Sequence, residues 1–191
     1  MTRSVANIET GQAFDPQYVA LLRLRPRLVG NDPERAQAFH REAKRQLESL
    51  SGIVSVSLTA AAGFVWTEGF PAAISLPGEQ RALPGHERSA GRQQIAPRFS
   101  ATLGIPFVAG RDFDDHDMAD SPRLAIVSET LAREFWPASS ALEKTIVIEG
   151  QPHRVMGVAK DSQLRSNTQG QVFCSWPRWR LRICRHNERR G

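Results

Sequence analysis

The sequence predicts an α+β fold, on three observations. Short runs that alternate apolar and polar residues, the signature of half-buried strands, recur along the chain. One amphipathic helix with clear start and stop signals stands between two of them. The order strand–helix–strand occurs twice, once in each half.

Residues 1–16 read as an irregular lead-in. Tyr18–Leu28 is a strand candidate, because Leu22, Arg23, Leu24 and Arg25 alternate; Pro26, without a backbone donor, ends it or marks an edge. Asn31-Asp32-Pro33-Glu34 starts a helix, with Asp32 as cap and Pro33 at the first helical position. Ala36, Phe39, Ala43, Leu47 and Leu50 then share one face, and Gly52 stops the helix. Ile53–Thr59 is the next strand, which completes a β-α-β unit. Residues 60–97 are less regular, with strands possible at Pro71–Leu76 and Gln93–Ala96 around a loop rich in Pro, Gly and charge.

Pro97–Leu103 reads as a short helix closed by Gly104, and Ile105–Phe113 as an apolar, turn-rich segment. Asp112–Asp120 is an acidic loop. Arg123–Val127 is a strand, and Ser128 caps a helix that runs through Trp136 and is stopped by Pro137. Lys144–Ile148 and Arg154–Val158 are strands joined by the hairpin turn Glu149-Gly150-Gln151-Pro152.

The chain has 191 residues, enough to bury a real core, and two cysteines, which excludes a disulfide scaffold. Its formal net charge of +5 is unevenly placed. Residues 172–191 hold six arginines and one acid, so residues 1–171 are balanced. The basic pI belongs to the tail, and the body carries no footprint for nucleic acid or anionic membrane. The longest charge-free stretch, Ser49–Thr67, has four serines, two threonines and two glycines, too polar for a membrane span. The N-terminus has no apolar signal region, so the chain as written is expected to be soluble.

The tail, VFCSWPRWRLRICRHNERRG, lacks sustained periodicity. It holds both cysteines and two of the four tryptophans. It is expected to come from a frameshift or premature truncation, or to be disordered; the competing reading is a basic arm for phosphate or lipid headgroups.

IAPRFSATLGIPFVAGRDFDDHD, RLAIVSETLAREFWP and KTIVIEGQPHRVMGVAKD, in that order, resemble the MacB-like periplasmic core domain of ABC transporter permeases of the MacB/FtsX kind. Upstream, AFDPQYVALLRLRP and NDPERAQAFHREAKRQLESLSGIVSVSLT resemble that domain's first β-α-β, so the likeness spans about residues 11–165. It implies a β-α-β porter-like lobe plus a second α/β lobe with a mixed sheet, an irregular middle segment inserted between them. Residues 17–171 would be the core domain, residues 1–16 a lead-in after a transmembrane helix, and 172–191 the basic tail.

Two departures stand out. Ser140-Ala141-Leu142-Glu143-Lys144 lacks the glycine expected near Glu143, and the Cys/Trp/Arg tail replaces the strand expected after Gln171. The resemblance implies an extracytoplasmic (periplasmic) domain, here a fragment, that relays motion by packing, with no catalysis. The partners it implies are the rest of the permease, an ATP-binding subunit or domain, a periplasmic adaptor and a second copy in a homodimer.

The residues themselves offer little chemistry. Asp112, Asp114, Asp115, His116 and Asp117 invite a metal. An EF-hand loop from Asp112 would need glycine and glutamate where Asp117 and Arg123 stand, so a solvated acidic loop is expected instead. His40, His86, His116, His153 and His186 are scattered, with His40 expected in solvent. Cys174 and Cys184 have no zinc spacing and are expected to be a free thiol or a chance pair. No nucleophile elbow, phosphate loop or dinucleotide fingerprint is present. Catalytic, metal and cofactor-binding residues are therefore expected to be none. The alternative function is a small nucleic-acid-binding protein led by Trp176, Trp179 and the tail arginines.

Overall fold

The fold is that of a computed structural model, which describes residues 18–20, 22, 33–60, 70–79, 88–118, 123–161 and 170–175. Its elements in chain order are α1 (Pro33–Glu48), β1 (Thr59–Ala60), β2 (Phe70–Ser75), β3 (Ser89–Ile95), α2 (Phe99–Leu103) and β4 (Phe107–Gly110). A 3₁₀ turn (Asp115–Met118) follows, then β5 (Leu124–Ser128), α3 (Glu129–Phe135), β6 (Thr145–Ile148), β7 (Gln151–Ala159) and β8 (Gln171–Ser175).

The eight strands form one mixed sheet, and six of them close a ring. β3 pairs with β2, β2 with β6 and β6 with β7, all antiparallel. β7 runs parallel to β5, β5 antiparallel to β8, and β8 returns parallel to β3. β1 continues the β2 side of β3, and β4 shares with β6 the edge of β7 opposite β5. Closure matters physically because an open edge leaves a row of unpaired backbone groups.

The ring has two apolar faces. Ala72, Ile74, Ala90, Ala125, Val127, Ile146, Ile148, Val155, Val172 and Cys174, at least one from each of the six strands, form the inner cluster, joined by Leu131 and Phe135 of α3. Ile95, Leu124, Ile126, Met156 and Phe173 point outward, where Phe99 and Leu103 of α2 with Ile105 and Phe113 cover them. The rings of Phe99 and Phe173 lie 6.3 Å apart, centre to centre. Each large side chain so buried contributes roughly 1.5–3 kcal/mol.

Local rules set the turns. Glu149 and Gly150 both have positive φ, 50° and 72°, as a two-residue type I′ hairpin requires. Glu149 bears this conformation while bound to β2: its amide donates to the Ala73 carbonyl (2.9 Å), and its Oε1 accepts from the Ala73 amide (2.8 Å). In this hairpin Ile148 and Gln151 close the turn as a hydrogen-bonded pair, so Val147 and Pro152 form the non-bonded pair. Pro152 therefore takes no donor from the β6 ladder.

α2 starts at Phe99, two residues later than expected, because Arg98 is left-handed (φ 65°). Gly104 (φ 68°) ends it, as the sequence suggests. α3 matches its expected span within a residue, and the Ser128 hydroxyl accepts from the Leu131 amide.

Three expectations are corrected. Ile53–Thr59 is not a strand; only Thr59–Ala60 pairs, while Val54 is 99% exposed. Ser55 and Ser57 fasten the segment with side-chain hydrogen bonds, to Thr102 (2.7 Å) and to the Pro97 carbonyl (3.0 Å), in place of a ladder. The apolar segment 105–113 contains strand β4, because its glycine lets two backbones meet. The middle segment supplies β2 and β3, both ring members, at the two places where the sequence suggests strands, with β3 starting four residues earlier than Gln93. Finally, the break placed at 172 falls inside β8: Val172, Phe173 and Cys174 are buried between β3 and β5. The lead-in, the Asp32 cap and residues 176–191 lie outside the described residues. So does most of Tyr18–Leu28, of which residues 18–20 and 22 are described and none is in a strand.

Candidate functional site

The acidic loop is the strongest chemical candidate in the sequence, and the carboxylates of Asp112, Asp114 and Asp117 are already engaged. The Arg111 guanidinium donates to both oxygens of Asp117, at 2.6 and 2.9 Å, and lies 3.1 Å from Asp114. Asp117 also accepts from the Asp114 amide (2.8 Å). The hydrogen bonds from Arg111 hold the Asp117 carboxyl below the usual aspartate range. Asp112 turns the other way and accepts from the backbone amides of Ser100 and Phe113, each at 2.9 Å. It thus caps α2 from across the loop, which replaces the side-chain cap that Arg98 does not supply. Burial pushes its carboxyl up, against those same amides.

Asp115 and His116 are exposed. Among the described residues no group of three or more His, Cys, Asp or Glu could hold a metal ion. The loop's geometry is that of a latch between α2 and the strand-rich body.

Among the described residues the histidines are not assembled either. His116 is exposed on the loop, and His86 and His186 lie outside the described residues. His40 is half-buried on α1, not solvated as expected, and burial lowers its affinity for a proton. His153 on β7 is half-buried, with Nδ1 2.8 Å from the Gln151 carbonyl. Cys174 is free and buried, and burial pushes its thiol up to about 12. It is therefore a packing residue in β8, with no thiolate at neutral pH. Cys184, Trp176 and Trp179 lie outside the described residues, so the nucleic-acid reading that rests on the tail gains no structural support.

What the structure does assemble is a junction at β8. The Ser128 hydroxyl, 5% exposed, accepts from the Leu131 amide that opens α3 and from the Gln171 amide that opens β8 (3.0 Å). Asp161, just after β7, accepts from the Thr130 amide (3.0 Å) and hydroxyl (2.6 Å). Gly170 packs so closely on Leu131 that a Cβ there would stand 2.8 Å from its side chain. One helix end, two strands and the chain entering β8 are thus tied at one place. The sequence signals Ser128 as a cap but gives no hint of its second partner. The signal for β8 itself is the apolar triplet Val172-Phe173-Cys174 after Gly170, overshadowed by the arginines beyond it.

Among the described residues no helix is long and apolar enough to cross a membrane.

The family model of the MacB-like periplasmic core domain matches residues 9–190. A curated relative, the uncharacterized ABC transporter permease YknZ of Bacillus subtilis (strain 168), is 27% identical over 100 residues, which is 51% of this chain and 25% of that protein. The fold is similar to the crystal structure of the periplasmic region of MacB from Actinobacillus actinomycetemcomitans. The TM-score is 0.51 at 17% identity, over 77% of this chain and 62% of that one. The extracellular domain of the noncanonic ABC-type transporter YknZ from Gram-positive bacteria aligns with a TM-score of 0.49 at 18% identity, over 71% and 61% of the two chains. The chain thus spans about a quarter of the curated relative and three-fifths of these two solved domains.

Proposed function

The chain belongs to the MacB-like periplasmic core domain family, and from that premise we propose that it is the extracytoplasmic domain of an ABC transporter permease and relays motion as a rigid body. The observation that carries this reading is the closure of the sheet by β8. That strand is hydrogen-bonded on both sides, to β3 and to β5, so a displacement of the chain beyond Ser175 acts on the whole ring at once. Two packed faces oppose deformation, because close-packed interiors transmit strain and yield little. Rigid-body shifts of such a unit are a common way of carrying a signal between subunits.

In this reading ATP is hydrolysed on a separate subunit or domain across the membrane, and this domain contributes shape and packing and no covalent chemistry. A second copy in a homodimer and a periplasmic adaptor are the partners against which it moves. Residues 17–175 form the domain in two lobes. α1 and its flanking segments make the porter-like lobe, and the closed sheet makes the second.

A cross-link inside the sheet tests the rigid-body relay. Thr145 and Arg154 are register partners on β6 and β7, a non-hydrogen-bonded pair whose close Cα atoms suit a disulfide. Arg154 gives up only its ion pair with Glu143 at the surface, which costs little. In the permease that carries this domain, Thr145→Cys/Arg154→Cys is expected to keep ATP hydrolysis and its coupled output unchanged when oxidised. Loss of coupling on oxidation, restored by reductant, would show that the domain must deform.

A further inference from the structure

We propose that Arg92, Arg123 and His153, brought together on the inner side of the closed sheet at its rim, bind a small oxyanion. Register places them. Arg92 is the partner of Val172, whose side chain belongs to the inner cluster, and residues directly opposite in a ladder share a face. His153 is the partner of Ile146, also of the inner cluster. Arg123 stands two residues before Ala125, another inner residue, and its carbonyl accepts from the Arg154 amide (2.8 Å) beside His153. The three are near enough that both guanidinium charges act on the His153 ring, and Arg92 also acts on Cys174.

Among the described residues no carboxylate pairs with Arg92, Arg123 or His153. Arg45, Arg88, Arg111, Arg133 and Arg154 are each held by a carboxylate, of Glu42, Glu79, Asp117, Glu129 and Glu143 respectively. Among the described residues Arg92 is the one arginine that is not exposed, and it forms no ion pair or hydrogen bond with them. A half-buried guanidinium beside a second arginine and an imidazole is costly unless an anion neutralises it. Its planar fork suits two oxygens of a carboxylate, phosphate or sulfate group. Gln94, half-buried two residues along the same face, can add an amide donor. The position selects size as well: an eight-stranded barrel is already filled by its side chains, so a six-stranded ring admits at its rim a single small group.

The test uses the full chain carrying labelled histidine, with the His153 resonance assigned through His153→Gln. Sodium sulfate and sodium acetate are each titrated against chloride at constant ionic strength. A saturable shift of the His153 signal is expected with sulfate or acetate, together with a higher pKa for the ring, since an adjacent anion favours the imidazolium. The two arms distinguish a tetrahedral dianion from a planar carboxylate. Arg92→Gln and Arg123→Gln are each expected to weaken the response by about tenfold. Arg123 is exposed, so its variant remains informative should Arg92→Gln disturb the sheet. The proposal is overturned if neither anion moves His153 more than chloride does, or if Arg123→Gln binds as tightly as the parent.

Discussion

Phe173→Ala is expected to destabilise the domain by about 3–5 kcal/mol, the range for deleting a buried phenylalanine. Phe173 is 3% exposed and packs outward from β8 into the cluster of Phe99, Ile126 and Ile95. Its ring is among the few groups that join α2 to the sheet, so the cavity left behind cannot collapse without moving that helix. Against a total stability of roughly 5–15 kcal/mol for a domain, a loss of this size leaves a large unfolded fraction or a midpoint lowered by on the order of 10 °C. Thermal unfolding by circular dichroism measures it. A shift of about a degree would mean that β8 is loosely placed and that the chain ends its packed body before residue 172.

Gly110→Ala is expected to cost about 2–4 kcal/mol, from two sources that add. The residue has φ +73°, where an L side chain is strained. Its Cβ would also stand 2.2 Å from the Met156 carbonyl oxygen and 2.8 Å from the Gly157 Cα, both backbone atoms that cannot swing aside. Gly157 faces the same constriction from β7: a Cβ there would lie 2.5 Å from the Arg111 carbonyl oxygen. Denaturant unfolding of Gly110→Ala beside Gly150→Ala separates the sources, since Gly150 has φ +72° but open space around it. The first variant should lose clearly more than the second. Equal losses would assign the whole effect to the backbone angle.

Much of the second half is legible in the sequence because its signals are local. Ser128 before an amphipathic heptapeptide, Pro137 after it, and Glu149-Gly150 between two alternating runs each fix a structure within a few residues. Gly104, Gly110 and Gly157 likewise stand where the backbone turns or crosses closely. The losses come where partners are remote. Ile53–Thr59 has the alternation of a strand, yet only its last residue, with Ala60, finds a ladder; the rest is fastened by serine hydroxyls to the α2 region and by the Leu58 carbonyl, which accepts from the Ala96 amide. β8 is the reverse case. Its five residues precede an arginine-rich tail, so composition averaged over twenty residues conceals a strand whose pairing depends on β3, some eighty residues earlier.

The candidate sites divide the same way. The acidic loop is visible as charge, but its role as a latch requires Asp112 to meet the amides of Ser100 and Phe113 and Asp117 to meet Arg111. Arg92, Arg123 and His153 are far apart in sequence and carry no motif. Only the closed pairing of the ring, which sets Arg92 and His153 on the same inner face, reveals them as a group.

Native-state hydrogen exchange tests most directly whether the closed ring is one cooperative body. The slowest amides of β3, β5 and β8 should open with one shared free energy, equal to that of global unfolding within about 1 kcal/mol. β8 amides that open several kcal/mol more easily than those of β5 would show a sheet left open between β3 and β5, and a domain unable to pass on a displacement as a unit.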